Sequence, residues 1–159
     1  MENPCHCGSG MDFADCCGPF ITGLRYPPNP VQLMRSRYTA YVLHELDYLI
    51  NTWHPDCHAE QWRDDLAGHF PITEWRRLTI NDAVTGKNSH EAYVEFIAAF
   101  YDLQAKRPGF IHERSRFVQL NERWYYIDGI YQQPLRNAPC PCGSGKKFKK
   151  MLRAITRRD

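Results

Sequence analysis

The sequence has no long apolar run and no secretory signal pattern at its start. The opening residues, Met-Glu-Asn-Pro-Cys, have neither the basic start nor the apolar stretch of a signal peptide. No segment approaches the roughly 20 consecutive apolar residues that a membrane-spanning helix requires. We therefore expect a cytoplasmic protein with no membrane span.

The chain is also too short for two full domains. Its 159 residues suffice for one well-buried core with small appendages. The hydrophobic fraction of 43% and the charged fraction of 24% are ordinary for a globular protein, whereas four Trp and nine Tyr make the chain rich in aromatic residues. We expect these rings to form the wall of a concave interior.

What the sequence does contain is a dense group of cysteines near its start. Two stand in a C-x-C pair, and two adjacent ones follow after a gap of eight residues: Cys5, Cys7, Cys16 and Cys17. Four thiolates at these spacings can surround one divalent ion tetrahedrally. Gly8 and Gly10 allow the tight reversal between the pairs, since glycine adopts positive φ without a steric penalty. The spacing predicts a zinc knuckle.

Two other interpretations of these cysteines stay open, together with a variant of the first. Disulfides would close small strained rings, and nothing marks the chain as secreted. The cysteines could also be four unrelated free thiols. In the zinc interpretation, His6 could replace one cysteine as a ligand.

The beginning of the motif returns near the end of the chain. Residues 137–145 read Asn-Ala-Pro-Cys-Pro-Cys-Gly-Ser-Gly, against Asn-Pro-Cys-His-Cys-Gly-Ser-Gly at residues 3–10. Met151 and Leu152 stand where the second copy should carry its remaining ligands. Cys140 and Cys142 alone are too few for a closed structural site. We therefore expect one zinc ion per chain.

These residues resemble a known family. The run C-x-C-G-S-G-K-K-F-K-K at the second copy resembles the SEC-C motif, the zinc tail of the translocase motor SecA. The whole chain resembles the bacterial YchJ family, through segments beginning at Leu33, Thr52, Glu113 and Trp124. The resemblance implies a nuclear-transport-factor-2-like cone between two SEC-C motifs, and it implies a metal without implying a reaction.

The hydrophobic pattern fits an α+β fold of this kind. Helices are predicted from Pro30 to His44, from a cap at Asp47 to Trp53, and along a stripe of Trp62, Leu66 and Phe70. Alternating strands are predicted at 78–80, 93–100, 110–120 and 124–130, with hairpin loops at 85–88, 106–109 and 121–122. We expect N-terminal helices packed on a curved antiparallel sheet.

Three regions follow from this organisation. Residues 1–24 form the metal-binding motif, 25–135 the cone domain, and 136–159 an incomplete motif with a basic tail. From Lys146 to Asp159 there are seven basic residues and one acidic residue, whereas the whole chain has a net charge of +2. The tail forms an amphipathic helix that docks, binds a partner or frays, or it reflects a change of reading frame; these alternatives stay open.

Candidate pocket residues come from the third and fourth strands and from the helices. On the third strand, Ile111, Glu113, Ser115 and Phe117 share the face that we expect to point inward, with His112, Arg114 and Arg116 on the other. The fourth strand contributes Trp124, Tyr126 and Asp128, and the helices contribute Arg35, Tyr38 and His54.

These residues admit a catalytic and a structural interpretation. In the first, Glu113 or Asp128 has a raised pKa and works beside His54 as acid and base on a small apolar ligand. In the second, Glu113 pairs with Arg35 or Arg37 and fixes a helix to the sheet. We favour the second. Cys57, between His54 and His58, is interpreted as packing rather than as a metal ligand or nucleophile.

Two functions remain in competition. The first is an adaptor that docks on a protein or on the ribosome through its terminal motifs. The second is a small-molecule binding protein, or an enzyme of the lyase, isomerase or hydrolase type, that uses the central pocket. We favour the adaptor, and a binding protein over an enzyme.

Overall fold

A computed structural model of the chain describes residues 3–131. The predicted third region, with Cys140, Cys142 and the basic tail, lies outside the described residues. The region boundaries at 24 and 135 stay predictions. Within residues 3–131, the helices are all too short and too polar to cross a membrane.

The longest helix follows the prediction closely. The described residues, 3–131, contain four α-helices: α1 (Gly18–Ile21), α2 (Pro30–Leu43), α3 (Leu46–Asn51) and α4 (Arg63–His69). Asn29 caps α2, because its side-chain oxygen accepts a hydrogen bond of 2.9 Å from the amide of Gln32. The helix ends where His44 takes a left-handed conformation, with φ of 63°.

The two shorter helices differ in detail from the prediction. Glu45, not Asp47, stands at the N-cap of α3, and the Asp47 carboxylate instead accepts a hydrogen bond of 2.9 Å from Arg63. Trp62 and Phe70 flank α4 as its cap residues and lie outside the helix itself. The predicted apolar stripe is therefore longer than α4, and only its middle residue, Leu66, lies within the helix.

The four strands form one antiparallel meander. They are β1 (Thr73–Thr85), β2 (Glu91–Asp102), β3 (Arg107–Leu120) and β4 (Arg123–Tyr131), in the spatial order β1-β2-β3-β4. The pairing of β1 with β2 shifts register twice, after Trp75 and after Ile80, and the pairing of β3 with β4 shifts once, at Arg116. Such bulges bend and twist the sheet, so the predicted α+β class with a curved sheet is confirmed.

One predicted hairpin loop is wrong. Pro108 and Gly109 lie inside β3, paired with Tyr101 and Phe100, and the chain reverses just before them, where Lys106 has φ of 57°. The reason is packing, since a Cβ on Gly109 would lie 2.6 Å from the ring of Phe100. The loop at Asn121 and Glu122 is confirmed as a two-residue turn, with φ positive at both positions.

The core lies between α2 and one face of the sheet. Val94, Phe96, Ala98 and Phe100 alternate along β2 and are buried. Leu33, Met34 and Tyr38 from α2 belong to the same apolar cluster as Val94, Phe96 and Ala98, and so do Cys5, Cys7 and Cys17. The cysteine motif is therefore packed into the core of the domain rather than attached as a separate appendage.

Candidate functional site

The four N-terminal cysteines converge on one point. Their sulfur atoms all lie within 4.8 Å of one another, and none forms a disulfide. The Cys7 and Cys16 sulfurs are 3.6 Å apart, and those of Cys16 and Cys17 are 3.9 Å apart. Ligands about 2.3 Å from a tetrahedral metal are separated by about 3.8 Å. The cluster can therefore hold one metal ion, and His6 is exposed and outside it.

A short hairpin brings the first pair back toward the second. The amide of Cys5 donates to the carbonyl of Met11 at 2.9 Å, which closes the hairpin. Gly8 and Gly10 have φ of 79° and 86°, so the predicted reversal through glycine is confirmed. The 3-10 turn over Phe13–Asp15 then places the second pair immediately before α1.

The thiols of this cluster influence one another's ionisation. Hydrogen bonds from Cys17 and Cys5 lower the pKa of Cys7, whereas hydrogen bonds to Cys5 and Cys7, followed by burial, raise the pKa of Cys17. Burial also raises the pKa of Cys16. Four thiolates this close repel one another, and a divalent cation at their centre removes the repulsion. The donor set therefore fits a metal.

Helix α2 supports the cluster through two side chains one turn apart. The Arg35 guanidinium donates to the carbonyl oxygen of Cys7 at 2.8 Å and so fixes the backbone of the first cysteine pair. The Thr39 hydroxyl is fully buried, donates to the Cys17 sulfur at 3.4 Å and lies 3.6 Å from the Cys5 sulfur. Arg35 was predicted to line the pocket; that prediction is wrong, because Arg35 faces the cysteines.

A cavity of about 320 Å³ lies on the other side of α2. Tyr38, Glu113, Ser115 and Tyr126 all line it, so these four predicted pocket residues do meet there. Ile111 from the same face of β3 joins them, which confirms the predicted inward orientation of that face. The other lining side chains are mostly apolar or aromatic: Met34, Arg37, Tyr41, Trp53, Leu66, His69, Phe70, Thr73, Trp75, Phe96 and Ala98.

A buried arginine is the main cation of this cavity. Arg37 is only 4% exposed, and its guanidinium lies 4.8 Å from the ring centres of both Trp53 and Tyr126. It donates to the Leu49 carbonyl at 2.8 Å and to the Thr52 hydroxyl at 2.7 Å. These bonds fix the loop after α3 to α2 and hold the positive charge at the cavity wall.

Glu113 is the corresponding carboxyl group. Its Oε2 atom accepts hydrogen bonds from the hydroxyls of Ser115 and Tyr126, the second at 3.0 Å. Burial raises the pKa of Glu113, while these hydrogen bonds and the charge of Arg37 act in the opposite direction. Arg37 and Glu113 line the same cavity, but the structure of residues 3–131 shows no ion pair between them, so the predicted pairing of Glu113 with Arg35 or Arg37 is wrong.

His54 and Asp128 do not join this group. The His54 ring packs edge-on against Tyr125, 5.9 Å between centres, and its Nδ1 accepts from the amide of Asp56. Asp128 pairs with Arg116 on the outer face, at 2.7 and 2.9 Å. The bulge between Arg116 and Phe117 shifts the register so that Asp128 faces outward. The predicted acid and base pair is therefore not formed.

Trp124 and Cys57 are accounted for by packing. Trp124 is buried in the core cluster but does not line the cavity. The Cys57 thiol donates to the Ile127 carbonyl at 3.4 Å, and its pKa is raised, first by burial and then by Asp128. Among residues 3–131, the N-terminal cysteines are the one group of metal-type ligands, so the segment around Cys57 forms no second centre.

Two cavity residues were missed in the sequence. His69 Nδ1 and Thr73 Oγ1 are buried and have no hydrogen-bond partner within the part of the chain that the structure describes. Both side chains line the cavity, and Thr73 is only 7% exposed. Thr73 precedes Trp75 by two residues on β1, so extending the alternation backward by one step would have placed it on the inner face.

Comparison with known proteins gives matches over most of the chain. Residues 29–129 match the family described as YchJ, middle NTF2-like domain, and residues 3–19 and 136–150 match the SEC-C motif. A UPF0225 protein of Sodalis glossinidius is 57% identical over 150 residues, covering 94% of this chain and 97% of the relative. A UPF0225 protein of Serratia proteamaculans is 53% identical with the same coverage.

Two solved structures agree with this fold. A SEC-C motif containing protein from Rhodopseudomonas palustris superposes with a TM-score of 0.74 at 32% identity, covering 82% of this chain and 99% of the other. A SEC-C motif containing protein from Psychrobacter arcticus gives a TM-score of 0.63 at 26% identity, covering 97% and 96%.

The metal centre predicts a graded response to substitution. Cys7→Ser should abolish stoichiometric metal binding and lower the melting temperature, because a ligand is lost. Thr39→Val should keep the metal but let a chelator remove it about tenfold faster, because a hydrogen bond to sulfur is lost. Metal analysis and chelation kinetics measure both effects, with Thr39→Ser and Cys57→Ser as controls. Full metal retention by Cys7→Ser would contradict the assignment.

The raised pKa of Glu113 predicts a pH-dependent stability. The contribution of Glu113 to the free energy of unfolding is fully present below the ordinary carboxyl pKa. This contribution declines as the pH rises through the raised pKa of the folded state. Glutamine does not ionise, so Glu113→Gln should gain stability relative to the parent as the pH rises from about 5 to about 8. Melting temperatures across this range measure the difference, with Glu122→Gln at an exposed position as the control; a constant difference would count against a raised pKa.

Proposed function

The chain belongs to the YchJ family, with a nuclear-transport-factor-2-like middle domain and SEC-C motifs, and from this premise we propose that it is a zinc protein whose central cavity binds a small molecule. In this proposal the zinc ion stabilises the fold, and the cavity binds the ligand. The observation that carries the proposal is the placement of buried, unpartnered polar atoms on the wall of an otherwise apolar cavity.

The donor set supports zinc as the metal. Four thiolates in a tetrahedral arrangement are typical of structural zinc sites, whereas a catalytic zinc keeps one position open for water or substrate. All four positions are supplied here by cysteine, with Thr39 and Arg35 supporting them from α2. The proposed role of the ion is to hold the N-terminal hairpin against α2, with one ion per chain.

The cavity has the size and composition of a small-molecule site. Its volume of about 320 Å³ lies at the lower end of the usual range for ligand pockets, and its lining is mostly apolar with a few polar groups. A buried polar atom without a partner costs about 1–3 kcal/mol. His69 and Thr73 each present such an atom, and a ligand that pairs with them recovers that cost.

The same geometry favours binding over catalysis. Glu113 has a raised pKa, but the bases and acids expected beside it, His54 and Asp128, lie elsewhere. The hydroxyls of Ser115 and Tyr126 hold the carboxyl in place through hydrogen bonds, and Arg37 acts on it only through its charge. We therefore assign the pocket a binding function and Glu113 the role of a polar contact.

Biphenyl is a suitable first probe, because it is neutral, aromatic and small enough for the cavity. Binding should quench tryptophan fluorescence, since Trp53 and Trp75 both line the pocket. Ala98→Leu fills the cavity from β2 and should abolish the quenching, whereas Ala99→Leu on the opposite face should not. Unchanged binding to folded Ala98→Leu would refute the proposal, and so would a failure of biphenyl and of both its 4,4′-dihydroxy and 4,4′-dicarboxylate derivatives to bind the intact chain.

An adaptor is the second candidate, favoured by exposed apolar side chains near the metal centre. Met11 and Leu24 are 50% and 82% exposed, in the hairpin and just after α1. In this proposal the terminal motifs dock on a protein or on the ribosome, a hypothesis motivated by their resemblance to the SecA tail. Purified ribosomes should co-sediment with the full chain and lose it on Met11→Ser with Leu24→Ser. The pair Leu103→Ser and Leu120→Ser, 45% and 41% exposed, is the matched control. Equal sedimentation of both pairs would exclude ribosome docking through this surface.

A further inference from the structure

The polar groups of the cavity lie at its two ends. Glu113 pairs across the sheet with Phe96 in the middle of β2, whereas Thr73 pairs with Asp102 at the end of the same strand. His69 immediately precedes the 3-10 turn that leads into β1, so it belongs to the Thr73 end. Five residues of β2, between Phe96 and Asp102, therefore separate the two polar levels of the lining.

Between these levels the wall is mostly apolar or aromatic, and two tyrosines of the lining, Tyr38 and Tyr41, pack against Trp75 there. Phe96 and Ala98 alternate along β2, Trp75 comes from β1, and Ile111 comes from β3. The Trp75 ring lies 5.4 Å from Phe100 and 6.0 Å from Tyr38, edge-on in both cases. This packing leaves an aromatic surface for the middle of a ligand and polar atoms for its ends.

The lining contains one cation and one carboxyl group. Arg37 is the buried cation, and Glu113 is a carboxyl group whose pKa is raised by burial, an effect that the hydrogen bonds from Ser115 and Tyr126 and the charge of Arg37 oppose. A ligand with its own net charge would bring a third, uncompensated charge into an apolar wall, and the desolvation of such a charge is costly. The lining therefore favours a neutral ligand.

Each end can still form hydrogen bonds. Within residues 3–131, both hydrogen bonds to the Glu113 side chain end on Oε2, so Oε1 can accept a bond from a ligand donor. At the other end, the Thr73 hydroxyl can donate and accept, and His69 Nδ1 offers a second contact. A hydroxyl group on the ligand can form a hydrogen bond at either end of the cavity.

We propose that the cavity takes an uncharged, elongated molecule with an aromatic or alicyclic middle and a hydroxyl-type group at each end, one contacting Glu113 and the other contacting Thr73 and His69. This inference rests on the proposed binding function and specifies its ligand class. A volume of about 320 Å³ corresponds to about ten water molecules at roughly 30 Å³ each, so the ligand is a small two-ring compound rather than a nucleotide or a lipid.

A series of biphenyls with the same core tests the ligand class on the full chain. Dissociation constants from tryptophan quenching are compared for biphenyl, 4,4′-dihydroxybiphenyl and biphenyl-4,4′-dicarboxylate. The diol should bind at least about tenfold more tightly than biphenyl, because it pairs buried polar atoms that biphenyl leaves unpaired. The dicarboxylate should bind more weakly than the diol, because its charges lose their solvation.

Two isosteric variants test which residue contacts each end of the ligand. Thr73→Val and Glu113→Gln should each reduce the affinity for the diol several-fold and leave the affinity for biphenyl unchanged. Thr79→Val and Glu95→Gln, the matched changes at positions outside the cavity lining, should alter neither. Unchanged biphenyl binding also shows that each variant is folded.

The outcomes separate the ligand class from the proposed function. Equal affinity for biphenyl and the diol, or tighter binding of the dicarboxylate, would overturn the ligand class and leave a binding cavity in place. If the diol still binds more tightly than biphenyl to both the Thr73→Val and the Glu113→Gln variants, the ligand class is also overturned. If none of the three compounds binds, the binding function itself fails, and the ligand class fails with it.

Discussion

The structure depends on how helix α2 is held from both sides. On one side, Arg35 and Thr39 contact the cysteine hairpin through the Cys7 carbonyl and the Cys17 sulfur. On the other side, Arg37, Tyr38 and Tyr41 line the cavity. A helix repeats every 3.6 residues, so one segment can present hydrogen-bond donors to the metal centre and a cation to the cavity. The cysteine hairpin and the cavity wall are therefore both attached to the same helix.

This arrangement explains why a motif of so few residues is ordered. The N-terminal hairpin buries Cys5, Cys7 and Cys17 in the same apolar cluster as Leu33 and Phe117, so packing and metal ligation act on the same atoms. A segment this small could not bury enough surface to fold alone. Packing against α2 orders it, and the four cysteines are placed so that a metal ion would stabilise it further.

Local features of the site could be predicted from the sequence, whereas features that depend on register or helical phase could not. The cysteine ligands are close together along the chain, and Glu113 and Ser115 follow from alternation on one strand. Arg35 and Arg37 are only two residues apart, but two residues turn a helix by about 200°, so they face opposite sides. Both arginines could be named from the sequence, but the sequence does not say which of them lies on the cavity side with Glu113.

Irregularities in the strands account for the other errors. Asp128 should share the inner face with Tyr126, but the bulge at Arg116 moves it outward. Pro108 and Gly109 look like a turn, yet Gly109 is required inside β3 because the Phe100 ring packs against it. Thr73 was missed because β1 begins before its first apolar residue. In each case a contact between distant residues decides the local geometry.

The two register shifts in β1 have a consequence for the behaviour of the protein at high concentration. β1 is an edge strand of 13 residues, long enough to recruit the edge of another molecule if it were straight. The shifts after Trp75 and Ile80 interrupt its ladder, and the charged side chains of Arg76, Arg77 and Asp82 lie next to the interruptions. The β1 edge therefore offers a second copy of the chain no continuous row of backbone groups for pairing. This edge of the sheet resists growth into fibrils.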